Sequence, residues 1–529
     1  MKRSFLLYFL FTLIGILFLG RLFQLQVIRG KDYNPVKNSA VKVKFDLPER
    51  GYIYDRNGEL LVANQLSYDV TIVPNEVTPL DTIEFCSLLK ISKENFIKRF
   101  KKAENYAPWL ESVFLKQLAK EDFAFLQEKL HKFQGFNIQK RVIRNYPIKS
   151  AANILGYINE VNELVAKKDN YYQQGELIGK AGVEAQYEKV LRGKKGKKYF
   201  RRDRFNKIKG PFKNGIYDSI AVNGKDITLT IDSKLQQYGE YLMKGKRGGI
   251  IALEPSSGEI LALVTSPSYD PNMMVGRLRS PNSVKLIGDS INKPMYDRGL
   301  KGTYPPGSPF KLVNALIGLQ EDVIDENTHF FCNGGYRYGN QKKEFMKCHC
   351  DIYGKPIQLN SAISKSCNSY FANTYKRIIE KNKNSTNGMN NWSTHVKSFG
   401  LGNYLGYDLP EGDKGLIPNG DYYNRMYKHR WNASTNISNA IGQGEVLTTP
   451  IQLANVTAAI ANRGFFYTPH VVKKINNQAI IDPSYTTPKH TTIDKKHFEP
   501  IIEGMHEVFK TGTASWVNIE GIDIVGKTG

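Results

Sequence analysis

The chain has 529 residues, of which 41% are hydrophobic and 23% are charged, and its formal net charge is +24. This composition excludes a largely disordered chain, and the length allows two or three domains. The positive charge alone would admit nucleic acid as a partner, but the N-terminal segment argues against that class.

An uncharged apolar segment begins close to the N-terminus. Residues 4–20 carry no charge, and apolar positions resume after Arg21 as far as Ile28, which is long enough to span a bilayer. Lys2 and Arg3 precede it and no small-x-small cleavage site follows. These features favour a retained anchor over a cleaved signal peptide or a buried core helix. We expect a cytoplasmic tip at 1–3, a single-pass anchor at 4–28, and no nucleic-acid partner for the extracytoplasmic remainder.

Two further regions follow, with a boundary predicted near residue 225. In the first, residues 46–69 form a strand-turn-strand pattern with Asn57-Gly58 at the turn, and residues 80–135 have helical spacing. The second opens with a short strand, then Asp232 as the N-cap of a helix, then a hairpin over 249–266. We therefore predict one domain over 29–225 and another over 226–529.

Four Ser-x-x-Lys tetrads occur, at residues 39–42, 87–90, 290–293 and 308–311. Only the last follows a rigid turn, residues 304–307, and opens an amphipathic helix in which Pro309 suits the first turn. Positions i and i+3 share a helix face, which brings the Lys311 amine to the Ser308 hydroxyl. A neutral amine there can take the serine proton, which makes Ser308 a candidate nucleophile. An ordinary helix start with a solvated lysine is the alternative.

Two weaker motifs accompany this tetrad. Ser366-Cys367-Asn368 lies on or beside a largely buried helix, where a hydroxyl and an amide need partners that a cleft would provide. Lys-Thr-Gly occurs at residues 510–512, as a helix end, and again at 527–529, after a short β pattern. A strand can present a lysine along a cleft edge, so we prefer Lys527.

In this order, Ser-x-x-Lys, Ser-x-Asn and Lys-Thr-Gly resemble the signature of penicillin-binding proteins and serine β-lactamases. The rest is similar to the class B, monofunctional penicillin-binding proteins, closest to penicillin-binding protein 2. Further resemblances are Arg50-Gly51 with Asp55-Arg56-Asn57-Gly58, Arg144-Asn145-Tyr146-Pro147, Gly182-Val183-Glu184, YPPGSPFK, GLGNYLGYDLPEG and AIGQGEVLTTPIQLA. Pro309 departs from the family, which usually has a small polar residue there.

The resemblance implies a multidomain α+β protein in a bacterial inner membrane. Its parts would be a transmembrane helix, an elongated α/β pedestal (dimerisation) domain, and a transpeptidase domain with an antiparallel sheet and flanking helices. Ser308 would be the acylated nucleophile, Lys311 its base, and Ser366 and Asn368 a proton relay and peptide-amide holder. Lys527 and Thr528 would bind the substrate carboxylate beside Gly529.

The implied activity is a peptidoglycan D,D-transpeptidase that cross-links stem peptides during wall synthesis and shape maintenance, with β-lactams as inhibitors. A membrane glycan polymerase of the shape, elongation, division and sporulation family would be its partner. A β-lactamase-like hydrolase or β-lactam sensor, and an inactive scaffold, are the alternatives. The family's last strands and one oxyanion-hole residue would lie beyond Gly529, so we expect the 529 residues to lack part of the catalytic domain and to react poorly with penicillin.

Four of the five cysteines, Cys332, Cys348, Cys350 and Cys367, fall within 36 residues, and His349 lies between two of them. Clustered cysteine and histidine suggest a structural zinc ion held by Cys348 and Cys350 with Cys332 or His349, although no cofactor is required for the chemistry. A disulfide from Cys332 to one of the other two, or free thiols, are the alternatives. Cys367 is interpreted as a small core residue.

Overall fold

The computed structural model describes residues 2–28, 40–118, 120–203, 208–351, 353–381, 384–480, 482–517 and 519–529. Residue 1 of the predicted tip and residues 29–39 of the predicted pedestal therefore lie outside the described residues. The described part falls into two compact units. We call residues 1–51 with 192–224 the anchor unit, and residues 52–191 with 225–529 the main unit.

Eighteen α-helices lie in the described residues: α1 (Lys2–Phe23), α2 (Thr82–Leu89), α3 (Lys93–Tyr106), α4 (Lys120–Lys129), α5 (Ala152–Leu155), α6 (Glu163–Lys168), α7 (Gly182–Gln186), α8 (Glu188–Leu191), α9 (Ser233–Leu242), α10 (Arg279–Gly288), α11 (Phe310–Gln320), α12 (Leu359–Ser364), α13 (Asn368–Glu380), α14 (Ser385–Ser398), α15 (Gly420–Tyr427), α16 (Pro450–Ala461), α17 (Pro483–Thr486) and α18 (Phe498–Lys510).

Twenty strands accompany them in the same residues: β1 (Val41–Asp46), β2 (Ile53–Tyr54), β3 (Leu60–Ile72), β4 (Ser112–Leu118), β5 (Phe136–Asn145), β6 (Ile158–Glu160), β7 (Leu177–Gly179), β8 (Gly196–Arg202), β9 (Ile208–Pro211), β10 (Ile227–Leu229), β11 (Gly248–Leu253), β12 (Ile260–Ser266), β13 (Phe330–Phe331), β14 (Gly335–Arg337), β15 (Phe345–Lys347), β16 (Pro356–Ile357), β17 (Phe465–Phe466), β18 (Val472–Ile475), β19 (Gln478–Ala479) and β20 (Lys489–His490).

The anchor unit combines an apolar helix with a small sheet. Helix α1 continues through one π-helical turn, so that Ser4–Ile28 is the one stretch of the described chain long and apolar enough to cross a membrane. β1, β8 and β9 form a three-stranded antiparallel sheet in that order. The predicted anchor at 4–28 coincides with this helix.

A seven-stranded sheet organises the main unit. Its order is β19-β18-β10-β2-β3-β4, and β5 also pairs with β3 over ten residues. The predicted strand-turn-strand is confirmed as β2 and β3, and Gly58 adopts the left-handed conformation that the turn requires (φ +90°). β10 pairs with both β2 and β18, so this sheet crosses residue 225. The domain boundary near 225 stays a prediction.

The prediction of helix throughout 80–135 was wrong in part. α2, α3 and α4 lie there, but β4 interrupts them and pairs with β3. The strand forms because Phe114, Leu115 and Leu118 are buried against Phe85 and its neighbours, a tertiary contact that helical spacing cannot reveal. Phe85 and Phe136 rings lie 4.4 Å apart in this separate aromatic core.

The C-terminal part of the main unit surrounds a central helix. The predicted Asp232 cap and the hairpin are confirmed, since the Asp232 carboxylate accepts bonds from two N–H groups of α9 and β11 pairs with β12. Helix α11, predicted to be amphipathic, is buried on every face from Phe310 to Leu319. Helices including α13, α14 and α18 enclose it, so these residues have no face in contact with solvent.

Candidate active site

The candidate nucleophile lies at the start of α11. Ser308 precedes Pro309, whose backbone is already helical, and the Ser308 carbonyl accepts the bond from the Lys311 N–H (3.1 Å). Gly307 has φ +65° and its N–H donates to the Gly442 carbonyl (2.9 Å). A Cβ on Gly442 would lie 2.3 Å from the Gly307 oxygen, so only glycine permits this contact.

Lys311 is completely buried and uses its whole donor capacity. Nζ donates to the Ser366 carbonyl (2.8 Å), to Ser366 Oγ (3.0 Å) and to Asn368 Oδ1 (2.6 Å). Burial lowers the pKa of the Lys311 amine to about 8. A fraction of the amine is therefore neutral near physiological pH, as a general base requires.

Ser366 connects this lysine to the candidate nucleophile. Its hydroxyl donates to Ser308 Oγ across 3.1 Å, and within the described residues no hydrogen bond joins Lys311 Nζ directly to Ser308 Oγ. The i, i+3 spacing therefore placed the two side chains at one site but did not make them bonded partners. Lys311 extends past the serine because its acceptors lie on the loop between α12 and α13.

That loop is held in an unusual conformation. Ser366 has φ +54°, and the predicted position beside buried helices is confirmed. Asn368 donates from Nδ2 to the Lys347 carbonyl (2.7 Å) and from its backbone N–H to Cys348 Sγ (3.2 Å). These two bonds orient the Asn368 amide so that its oxygen faces Lys311.

Lys527 belongs to the final segment, residues 519–529. The segment turns at residues 520–521 and forms no strand over residues 519–529, contrary to the predicted β pattern, and its Gly526 N–H donates to the Met505 carbonyl of α18 (3.3 Å). Thr528 Oγ1 lies 2.7 Å from Thr513 Oγ1, and a Cβ on Gly529 would lie 3.6 Å from Pro309 Cδ. The segment thus runs past the start of α11.

Lys527 lies near Lys311, close enough for the two amines to interact electrostatically. It lines a cavity of about 430 Å³ together with Tyr304, Pro309 and Thr448. Burial, and then the positive charge of Lys311, lower the pKa of the Lys527 amine to about 7. The side chain of Lys510, the alternative lysine, is exposed at the end of α18, as predicted for a helix end.

Four buried cysteines adjoin this site. The Sγ atoms of Cys332, Cys348, Cys350 and Cys367 all lie within 4.8 Å of one another, and no disulfide joins any two of these four described residues. Sγ to Sγ distances are 3.6 Å for Cys332 with Cys350 and 3.7 Å for Cys348 with Cys367. The hydrogen bond between Cys348 and Cys367 lowers the pKa of the Cys348 thiol, which favours a thiolate.

This group differs from the predicted one in a single member. His349 is exposed and lies outside it, whereas Cys367 lies inside. Cys348 and Cys350 turn inward, so the residue between them faces solvent. Cys367 comes from the motif next to the nucleophile, and spacing along the sequence does not bring residue 367 to residue 348.

The arrangement has the chemistry of an active-site-serine enzyme: a hydroxyl, a buried amine of lowered pKa bonded to it through a second serine, and another lysine near that amine. Residues 248–529 match the penicillin binding protein transpeptidase domain, and residues 45–229 match the penicillin-binding protein dimerisation domain. The chain belongs to the penicillin-binding protein transpeptidase family.

Curated relatives and solved structures support the same family assignment. The peptidoglycan D,D-transpeptidase MrdA of Acinetobacter baumannii is 33% identical over 91% of this chain and 70% of its own, and MrdA of Escherichia coli K12 is 29% identical over 87% and 72%. The Helicobacter pylori PBP2–MreC complex aligns at TM-score 0.74 with 26% identity over 89% of this chain and 85% of that chain. Pseudomonas aeruginosa PBP2 bound to WCK 5153 aligns at 0.64 with 28% identity over 90% and 82%.

Proposed function

We propose that the protein is a peptidoglycan D,D-transpeptidase that acts through an acyl-serine intermediate on Ser308. The observation that carries this proposal is the bonded chain from Lys311 Nζ through Ser366 Oγ to Ser308 Oγ. With Lys311 neutral, both bonds would reverse, so that Ser308 donates to Ser366 Oγ and Ser366 donates to Lys311 Nζ. The amine would then accept a proton passed from Ser308 through Ser366 as Ser308 attacks the carbonyl of the penultimate D-alanine.

The reaction then proceeds in two steps, release of the terminal D-alanine and transfer of the acyl group to an acceptor amine. Collapse of the tetrahedral intermediate breaks the peptide bond, and the relay returns the proton to the leaving D-alanine amine. An acceptor amine next attacks the acyl-serine ester, loses its proton to Lys311, and restores the Ser308 hydroxyl. Asn368 would hold the donor amide, and Lys527 with Thr528 and Gly529 would border the terminal carboxylate.

Fluorescent penicillin tests this assignment, because a β-lactam carbonyl can take the place of the donor peptide. We expect intact-mass analysis of the full-length protein to show one stable adduct, which Ser308→Ala abolishes. Ser87→Ala is the matched control, since Ser87 begins another Ser-x-x-Lys tetrad on α2 and is exposed. An adduct that persists in Ser308→Ala would refute the nucleophile, and rapid loss of the adduct from the wild type would favour a hydrolase.

The four buried cysteines beside the candidate active site form a possible metal site. Four ligands about 2.3 Å from a tetrahedral zinc ion are separated by about 3.8 Å, close to the two Sγ distances of 3.6 and 3.7 Å. Cys332, Cys348, Cys350 and Cys367 therefore fit a structural zinc ion. Such an ion would fix Cys348 and Cys367, and through them the Asn368 N–H and the Ser366 loop.

For localisation and partners, residues 4–28 would cross the inner membrane once and leave the catalytic part outside the cytoplasm. The Helicobacter pylori relative forms a complex with MreC, which supports assembly with other wall-synthesis proteins. The specific partner we propose is a glycan polymerase of the shape, elongation, division and sporulation family. Co-purification should be lost when residues 4–28 are replaced by an unrelated membrane helix, and its full retention would refute a role for the anchor.

A further inference from the structure

Positive charge is concentrated in the anchor unit. Residues 40–51 and 192–224 contain fourteen Lys and Arg against four Asp and Glu, a formal net charge of +10 out of +24 for the whole chain. The catalytic proposal uses none of these 45 residues. Such a density of one sign of charge attracts a partner of the opposite sign.

The charges are presented on a thin sheet. In the β1–β8 register, Lys44 lies opposite Lys198 and Phe45 lies opposite Lys197, so the two faces each carry lysines. Lys42, Lys44, Lys197, Lys198 and Arg201 are exposed. Two long ion pairs neutralise part of this charge, from Lys198 Nζ to Asp46 and from Lys209 Nζ to Asp203, each at 3.5 Å.

Large apolar side chains are exposed beside these charges. Ile216 is 79% exposed, Ile220 is 90% exposed and Val222 is 56% exposed, all in the segment that follows β9. Exposed aliphatic side chains among lysines and arginines are typical of surfaces that lie in a membrane interface, where the apolar groups enter the acyl boundary and the cations meet phosphates.

We propose that the sheet β1-β8-β9 and residues 212–222 dock on the anionic phospholipid headgroups of the membrane that holds the anchor. Twelve residues separate Ile28 from Val41, and at about 3.6 Å per residue they reach at most about 45 Å, so the sheet is tethered near the bilayer. Juxtamembrane basic segments bind anionic lipid for this reason. The inference rests on the membrane anchor proposed above.

Hydrogen exchange on the full chain tests the docking. The protein is reconstituted in nanodiscs of phosphatidylcholine alone, or of equal parts phosphatidylcholine and phosphatidylglycerol. We expect amides of residues 208–224 to exchange several-fold more slowly on the anionic discs, and high salt to remove the difference. Replacing Lys42, Lys44, Lys197 and Arg201 by Gln should also remove it. The matched control replaces the exposed Lys93, Lys98, Lys101 and Lys102 of α3 by Gln and should preserve it.

Equal exchange on the two discs would overturn the proposal, and so would slowing that the four-charge variant retains. Protection that appears only after the glycan polymerase is added would also overturn it and assign the surface to a protein. A chain that inserts in neither disc would refute the anchor itself, whereas penicillin labelling of Ser308 would be unaffected by any of these outcomes.

Discussion

Ser366 donates its hydroxyl proton to the hydroxyl oxygen of Ser308 across 3.1 Å, and it receives a bond from Lys311 Nζ at 3.0 Å. The lysine therefore reaches the candidate nucleophile through a second serine. This geometry assigns Ser366 a central part in proton transfer, and it makes the relay sensitive to the loop that holds residue 366.

Removing the Ser366 hydroxyl should slow acylation strongly. Without it, Lys311 has no bonded route to Ser308, and lost general-base catalysis costs about 10²–10⁴-fold in rate. Stopped-flow acylation of Ser366→Ala by a β-lactam measures the effect. Ser385→Ala, in another Ser-x-Asn match at the start of α14, should acylate at the wild-type rate. A wild-type rate in Ser366→Ala would show that Lys311 acts on Ser308 directly.

The pH dependence of acylation should reflect Lys311 and Lys527. Lys311 has a pKa lowered to about 8 and must be neutral, so kcat/KM rises with pH up to that value. Lys527 has a pKa lowered to about 7 and must be charged to attract a carboxylate, so kcat/KM falls as pH rises above that value. The profile should be bell-shaped, with its maximum between pH 7 and 8.

Substitution at Lys527 separates these two effects. Lys527→Gln should raise KM and remove the descending limb, and it should move the ascending limb to higher pH, because a like charge near Lys311 has been removed. Lys510→Gln is the matched control for the other Lys-Thr-Gly motif and should leave the profile unchanged. A large change in Lys510→Gln with none in Lys527→Gln would reverse the choice between the motifs.

Local patterns were sufficient for several elements of the fold. The Asn57-Gly58 turn, the Asp232 cap and the hairpin of β11 and β12 depend on residues adjacent in the chain, and each formed as predicted. β4 did not, because its pairing with β3 and the burial of Phe114 are contacts between distant residues. The sequence of helix α11 alone likewise predicts an amphipathic helix. Its complete burial depends on helices that lie far along the chain.

In the candidate site, too, motifs predict the functional residues but not the contacts that orient them. The motifs predict Ser308, Lys311, Ser366, Asn368 and Lys527, and the structure places them near one another. The bonds that orient them were not predictable, since the Lys347 carbonyl and the Cys348 thiol that hold Asn368 belong to none of the three catalytic motifs. Cys367 is a buried core residue, as predicted, but its place in the four-cysteine group depends on partners up to 35 positions earlier in the chain.

A buried ion pair in the main unit should be important for stability. Arg144 and Glu184, from the resemblance motifs, are almost fully buried, with Nε and Oε1 2.7 Å apart, and Arg144 also donates to Asn64. Arg144→Met leaves the Glu184 carboxylate without this partner and should cost about 3–5 kcal/mol of unfolding free energy. Arg463→Met, which breaks the exposed pair with Glu499, should cost about 0–1 kcal/mol. Urea unfolding compares the two, and equal losses would contradict the argument.

Zinc binding distinguishes the four-cysteine group from the set predicted from the sequence. If Cys332, Cys348, Cys350 and Cys367 hold the ion, Cys350→Ser should lose most of its zinc, because removing one of four ligands opens the closed coordination of a structural site. His349→Ala should retain one zinc per chain, since that side chain is exposed and outside the group. Metal analysis of protein purified without added zinc measures the zinc content of each variant.

Chelation should also slow acylation, because Cys348 Sγ accepts the Asn368 N–H and residue 367 joins Ser366 to Asn368. Zinc loss in His349→Ala with retention in Cys350→Ser would restore the histidine as a ligand, and zinc-free wild type with an intact fold and full acylation would refute the site.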